Sequence, residues 1–189
     1  MLFGLTNAPS TFQRFMNEQL AGLEHCARVY MDDIIVHSAD VATHLGNLRE
    51  VLQRMGDRKL AVKHKKCEFM RDKLVYLGHV VQAGGVSPDP AKVEAIAKLA
   101  PPADISQLRS FLGCCNFYER FVEHYAEIAA PLTDLLGSKV QWVWGAAEQT
   151  AFDTLKQALC TAPVLLMPDL RGNFVVDTDA SQRSIGGVI

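Results

Sequence analysis

No apolar run in the sequence approaches the ~20 residues needed to span a bilayer. The N-terminus, Met1-Leu2-Phe3-Gly4, also lacks a basic stretch leading into an apolar one. Neither a membrane segment nor a secretory signal is expected. Cysteine is sparse: Cys26, Cys67, Cys114, Cys115 and Cys160 are scattered, odd in number and without zinc-site spacing. That argues against a disulfide framework and for a reduced, intracellular chain. Internal repeats and low-complexity segments are absent. So is a surplus of either charge, since the 189 residues carry a net -2. Global charge therefore does not announce a partner.

Hydrophobic residues make up 49% and charged residues 21%, ordinary for a globular protein with one sizeable core or two small ones. The charge is unevenly placed. Between Arg58 and Lys73, seven basic residues (Arg58, Lys59, Lys63, Lys65, Lys66, Arg71 and Lys73) face two acids (Glu68 and Asp72), a local +5. Such a stripe can steer a polyanion, or be no more than a solvated face.

The punctuation predicts alternating elements. A helix opens at Pro9-Ser10, with Gln13 placed for a capping box and Phe12, Phe15, Met16, Leu20 and Leu23 at helical spacing. Arg28 to Ser38 reads as a hairpin around Asp32-Asp33. Asp40 or Thr43 caps the next helix, expected to bury Leu45, Leu48, Leu52 and Met55 and to stop at Gly56. Strands are expected over 60–63, 67–70 and 74–81, then a turn at Gly84-Gly85. Asp89-Pro90 starts a helix that Pro101-Pro102 stops. A longer helix is expected over 105–124, breaks at Pro131 and Gly137, and another helix over 146–160. Last come a strand at Phe174-Val175-Val176, a turn over 177–183, and a strand from Ile185.

The Asp32-Asp33 pair serves no core. At ~5 Å and an effective dielectric of ~20, two carboxylates repel by ~3 kcal/mol. A divalent cation with oxygen ligands would remove that cost, and two such ions can clamp an in-line attack at phosphorus. An Asp-Asp hairpin turn is, however, also common without metal.

The order of motifs resembles the reverse transcriptases of gypsy-type LTR retrotransposons. Residues 3–13, Phe-Gly-Leu-Thr-Asn-Ala-Pro-Ser-Thr-Phe-Gln, are similar to the loop and helix facing the incoming nucleotide. Val29-Tyr30-Met31-Asp32-Asp33-Ile34 is similar to the catalytic hairpin, Lys65-Lys66-Cys67-Glu68-Phe69 to a following basic motif, and Tyr76-Leu77-Gly78-His79 to the primer grip. Ser110-Phe111-Leu112-Gly113 with Asn116 to Phe121 resembles the thumb helix. Asp177-Thr178-Asp179-Ala180-Ser181 with Ile185-Gly186-Gly187-Val188 resembles the first hairpin of the RNase H domain.

The resemblance implies an α+β fold: part of a palm over 1–85, thumb or connection helices over 86–137, and the start of an RNase H-like α/β domain over 138–189. It implies an RNA-directed DNA polymerase with RNase H, using Mg²⁺ or Mn²⁺. Asp32, Asp33 and Asp179 would be catalytic metal ligands, Asp177 being a same-face alternative that the Asp-Ala-Ser pattern disfavours. Phe3 and Gly4 would line the nucleotide pocket, with plain core packing an equal reading for Phe3. Lys65 and Lys66 would touch phosphate or protonate pyrophosphate, and Leu77 and Gly78 would hold the primer end. His37, His44 and His79 read as surface or packing residues. Implied partners are RNA template, DNA primer, RNA–DNA hybrid and dNTP, together with upstream and downstream Pol segments, in a cytoplasmic particle or the nucleus. The family's Met-Pro-Phe-Gly-Leu here has Leu2 for proline. Because the family's remaining carboxylates lie outside this stretch, the chain is expected to be inactive alone. The alternative is a decayed or co-opted remnant that at most binds nucleic acid or a partner. Residues 87–137 are expected to fold by themselves.

The basic window generates a measurable expectation. If ~3–4 phosphates are neutralised, log K for an RNA–DNA hybrid falls with log salt at a slope near ~-3. A flat salt response, or one unchanged when Lys63, Lys65 and Lys66 become Ala, contradicts it.

Overall fold

The computed structural model describes residues 5–166, 176–180 and 185–188. The chain divides into two compact units, residues 1–71 and 72–189. Among the described residues no helix is long and apolar enough to cross a membrane.

The first unit has helix α1 (Ala8–Gln19), an antiparallel hairpin of β1 (Ala27–Tyr30) and β2 (Asp33–Val36), and helix α2 (Val41–Asp57). In the hairpin, Ala27 pairs with Val36 and Val29 with Ile34. Directly paired side chains share a face, so these four form the apolar side. They pack with Met16 and Leu20 of α1, Leu23 and Cys26 of the connecting turn, and Val51 and Met55 of α2. Arg28, Tyr30, Asp33 and Ile35 take the other face by alternation. α1 starts one residue earlier than expected, with Asn7 at the cap and Pro9 in the first turn. Ser10 is therefore inside the helix, its hydroxyl donating to the Asn7 carbonyl at 3.1 Å, and no capping box forms with Gln13.

Asp40 caps α2, accepting from the Thr43 backbone N–H at 2.8 Å and the Thr43 hydroxyl at 2.7 Å. The buried stripe is rotated from the expected one. Val51 and Met55 are buried, whereas Leu45 and Leu52 are 51% and 41% exposed. The stripe follows 48, 51 and 55, and Leu45 and Leu52 fall just beyond its edge. The strands expected over 60–63 and 67–70 do not form; a 3-10 turn, His64–Lys66, lies between them.

The second unit opens with an antiparallel sheet of β3 (Lys73–Tyr76), β4 (His79–Gln82) and β5 (Gly85–Pro88), in sequence order. The single strand expected over 74–81 is thus a hairpin turning at Leu77-Gly78. β5 gains a further partner: Val86 and Leu165 exchange backbone hydrogen bonds at 2.8 Å each way. Gly85, at φ +129°, lets that strand approach, because a Cβ there would collide with the Leu165 carbonyl.

Asp89 caps helix α3 (Pro90–Ala97), accepting from Ala91 N–H at 2.9 Å. The long helix expected over 105–124 is shorter. α4 (Ile105–Asn116) gives way to a 3-10 turn, Glu119–Phe121, and His124 takes a left-handed φ of 55° that ends the run. The tighter turn carries Tyr118 and Phe121 into the core. Helix α5 (Tyr125–Asp134) runs through Pro131, where a break was expected. The lost hydrogen bond is offset by burial of Ala129 and Leu132. Helix α6 (Ala146–Cys160) has the expected bounds, and β6 (Asp177–Ala180) pairs with β7 (Ile185–Val188). Asp177 and Asp179 are therefore in a strand and not in the expected turn; the strand expected at Phe174-Val175 lies outside the described residues.

α3 to α6 share one core. Leu108, Phe111 and Leu112 of α4 and Leu132 of α5 pack with Phe152, Leu155 and Leu159 of α6. Phe111 and Phe152 have ring centroids 4.6 Å apart. A fragment of residues 87–137, expected to fold by itself, would lack the α6 side of this core.

Two α2 variants test the rotated stripe. Met55→Ala should cost about 2–5 kcal/mol and Leu52→Ala about 0.5 kcal/mol or less by denaturant unfolding. A larger cost at Leu52 contradicts the packing.

Candidate active site

The β1–β2 hairpin closes through the two-residue turn Met31-Asp32, since Tyr30 and Asp33 are the last paired residues. The two acids are therefore not equivalent. Asp32 stands in the turn, and Asp33 begins β2 on the face away from the core; both are exposed. Met31 has φ 50°, a conformation that costs a non-glycine residue about 1–2 kcal/mol. A two-stranded ribbon is also marginal by itself.

The hairpin is tied down from α1. The Gln13 side chain accepts the Met31 N–H through Oε1 at 2.6 Å and donates through Nε2 to the Val29 carbonyl at 3.0 Å. The same Nε2 lies 2.8 Å from Asn17 Oδ1, one helical turn on. One amide group thus meets a backbone donor and a backbone acceptor on the strand leading to Asp32. The sequence reading missed this role because it assigned Gln13 a local cap. The available signal was a long polar side chain on the same helix face as Phe12 and Met16.

Carboxylate oxygens are the correct donors for Mg²⁺ or Mn²⁺, and Mg²⁺ is commonly held by one or two of them with water and phosphate oxygens. Asp32 and Asp33 fit as part of such a shell. Among the described residues no three His, Cys, Asp or Glu side chains gather as a metal site. Among the described residues, the pair would therefore supply only part of such a ligand set. Lys65 and Lys66 are exposed in the 3-10 turn His64–Lys66. Phe3 and Gly4 lie outside the described residues.

In the second unit, Leu77 and Gly78 form the β3–β4 turn, with φ of 49° and 77°. Positive φ at both positions is the type I′ pattern, which normally selects Asn-Gly. The Gly78 carbonyl accepts from the Tyr118 hydroxyl at 2.7 Å and from Asp89 N–H at 3.2 Å. His79 Nδ1 is 3.0 Å from the Leu77 carbonyl, and its Nε2 is 3.0 Å from Arg120 Nη2. Burial, and the Arg120 charge beside it, push the His79 pKa below its usual value, against the opposing pull of the Leu77 carbonyl. His79 is thus a packing residue, as expected, set among Phe117, Tyr118 and Phe121, and it also makes two polar contacts. Asp179 pairs with Gly186 across β6–β7, two residues along the strand from Asp177.

Comparison with known proteins connects these parts. Residues 1–81 match the reverse transcriptase (RNA-dependent DNA polymerase) family, and residues 144–189 match the RNase H-like domain found in reverse transcriptase. The chain is 39% identical over 192 residues to the retrovirus-related Pol polyprotein from transposon 297 of Drosophila melanogaster, covering 100% of this chain and 18% of that protein. It spans less than a fifth of that relative's length. A foamy viral protease-reverse transcriptase solved with double-stranded DNA matches at TM-score 0.84 and 26% identity, over 92% of this chain and 31% of that one. The same type of enzyme solved with an RNA/DNA hybrid matches at TM-score 0.83 and 26% identity, over 96% of this chain and 25% of that one.

Removing the Gln13 amide strands a donor and an acceptor. Gln13→Leu should cost about 1–3 kcal/mol and speed hydrogen exchange at the Met31 amide, leaving α4–α6 amides unchanged. Unaltered protection at Met31 contradicts the clamp.

Proposed function

The chain belongs to the reverse transcriptases of retrotransposon Pol polyproteins, and from that membership we propose that it carries the catalytic hairpin, the primer-holding turn and the start of the RNase H unit of an RNA-directed DNA polymerase. The observation that supports this most is the placement of Asp32 in the turn of a hairpin whose approach strand is fixed by Gln13. An exposed acid on a constrained two-residue turn can meet a metal-bound triphosphate without reorganising.

In this reading Asp32 is a direct ligand of Mg²⁺ or Mn²⁺, and Asp33 is the second, less engaged acid. Held by Asp32 and Asp33, such an ion would supply neutralisation of charge on the phosphates. Gln13 acts through the backbone: it holds Val29 and Met31 so that Asp32 keeps its position. Phe3 and Gly4 are assigned to the dNTP pocket, where glycine lets the backbone come close. Lys65 and Lys66 contact phosphate, a sequence-independent attraction. Leu77 and Gly78 hold the primer end, and the helices from Pro90 onward follow the hybrid by its shape. Asp179 is assigned as the first metal ligand of the RNase H site. The substrates are then RNA template, DNA primer and dNTP, with the RNA–DNA hybrid as product and as RNase H substrate. The domain limits are proposed as 1–85 for palm, 86–137 for thumb or connection and 138–189 for RNase H.

Paramagnetic Mn²⁺ tests the metal assignment on the chain itself. Amide resonances of residues 31–34 should broaden selectively at sub-stoichiometric Mn²⁺, and Asp32→Asn should abolish the effect. Broadening that is uniform, or unchanged in Asp32→Asn, argues against it.

A further inference from the structure

We propose that His79 is a positioning residue for the Leu77-Gly78 turn: its neutral ring carries the proton on Nδ1, donates it to the Leu77 carbonyl, and is kept in that form by Arg120. The consequence for nucleic acid rests on the reading of that turn as the primer contact.

The turn needs holding. Type I′ geometry is native to Asn and Gly, and Leu77 enters it at φ 49° with a strain of about 1–2 kcal/mol. Both of its carbonyls are engaged by side chains. Gly78 receives the Tyr118 hydroxyl, and Leu77 faces His79 Nδ1.

Donor and acceptor rules fix the protonation state. A guanidinium only donates. Arg120 Nη2 lies 3.0 Å from Nε2, so Nε2 must carry the lone pair. The proton of a neutral ring is then on Nδ1, facing a carbonyl that only accepts, 3.0 Å away. The two contacts are satisfied together by one form alone, the neutral Nδ1–H tautomer. A doubly protonated ring would set an N–H against the guanidinium.

The ring is also held in orientation. Its centroid is 5.0 Å from Phe117, 5.5 Å from Tyr118 and 5.7 Å from Phe121, while Arg120 sits 5.0 Å over the Phe121 ring. A Cβ on Gly78 would come within 3.1 Å of Phe117, so the turn is seated against the same aromatic group. The Tyr118–Phe121 segment therefore holds the turn twice, through Tyr118 directly and through Arg120 by way of His79.

The test uses the full chain. Long-range ¹H–¹⁵N spectra of histidine-labelled protein should give the Nδ1–H pattern for His79, and Arg120→Met should shift it toward a mixture. Asparagine can place its amide N–H where Nδ1 stands, and glutamine where Nε2 stands. His79→Asn should leave the Leu77 and Gly78 amide shifts near wild type, and His79→Gln should move them, with circular dichroism reporting on the fold of each. Affinity for an RNA–DNA hybrid should stay within about twofold for His79→Asn and fall about tenfold for His79→Gln, the loss of one hydrogen bond's worth of positioning. An Nε2–H pattern in the wild type, or identical turn shifts in the Asn and Gln variants, overturns the proposal. If tautomer and shifts behave as expected but hybrid affinity is the same in all variants, the positioning role stands and the primer-contact reading of the turn falls.

Discussion

Short turns that force an ordinary side chain into left-handed backbone set the main constraint on this chain. Met31 at φ 50° and Leu77 at φ 49° each open a two-residue turn without the glycine or asparagine that would relax it. Neither hairpin has many hydrogen bonds of its own, since each strand is four residues long. In both units the remedy is the same. A polar side chain from helical structure meets backbone groups at the turn: Gln13 of α1 at Met31 and Val29, and Tyr118, after α4, at Gly78. Gln13 thereby holds the residues leading to Asp32, and Tyr118 holds Gly78 itself.

The helical cores follow from that arrangement. α1 can present Gln13 to the hairpin because Met16 and Leu20, on the next turns, are buried against β1, β2 and α2. Tyr118 and Phe121 reach inward because α4 ends at Asn116 and the chain tightens into a 3-10 turn. Their core is completed by α6, through Phe152, Leu155 and Leu159. The segment of the chain that matches an RNase H-like domain thus contributes to the packing behind the Leu77-Gly78 turn. Burial of several such side chains at ~1.5–3 kcal/mol each outweighs the strain at one turn residue.

Legibility from sequence tracked how local each signal was. The α6 bounds, the Asp40 and Asp89 caps and the Asp32 hairpin were readable, because caps and turns are written in a few neighbouring residues. The Leu77-Gly78 turn was read as strand interior, since nothing in Leu-Gly demands a type I′ turn without its tertiary supports. The α2 stripe was misplaced because Leu45 and Leu52 are apolar yet lie just off the buried face, where periodicity alone does not discriminate. Gln13 and His79 escaped because their partners are not encoded beside them: Gln13 reaches residues 16 and 18 positions away, and His79 meets Arg120 at 41. The identity of the family, by contrast, was carried by motif order, which needs no geometry.

The proposed role of Asp32, on its clamped hairpin, is metal-dependent nucleotide addition. The direct measurement is primer extension on an RNA template by the transposon 297 Pol polyprotein with this chain exchanged for its matching stretch. DNA synthesis with Mg²⁺ or Mn²⁺ is expected, and it should disappear on Asp32→Asn while binding of the primed template persists. Synthesis undiminished by Asp32→Asn, or a folded exchange protein that binds primed template and adds no nucleotide, would contradict it.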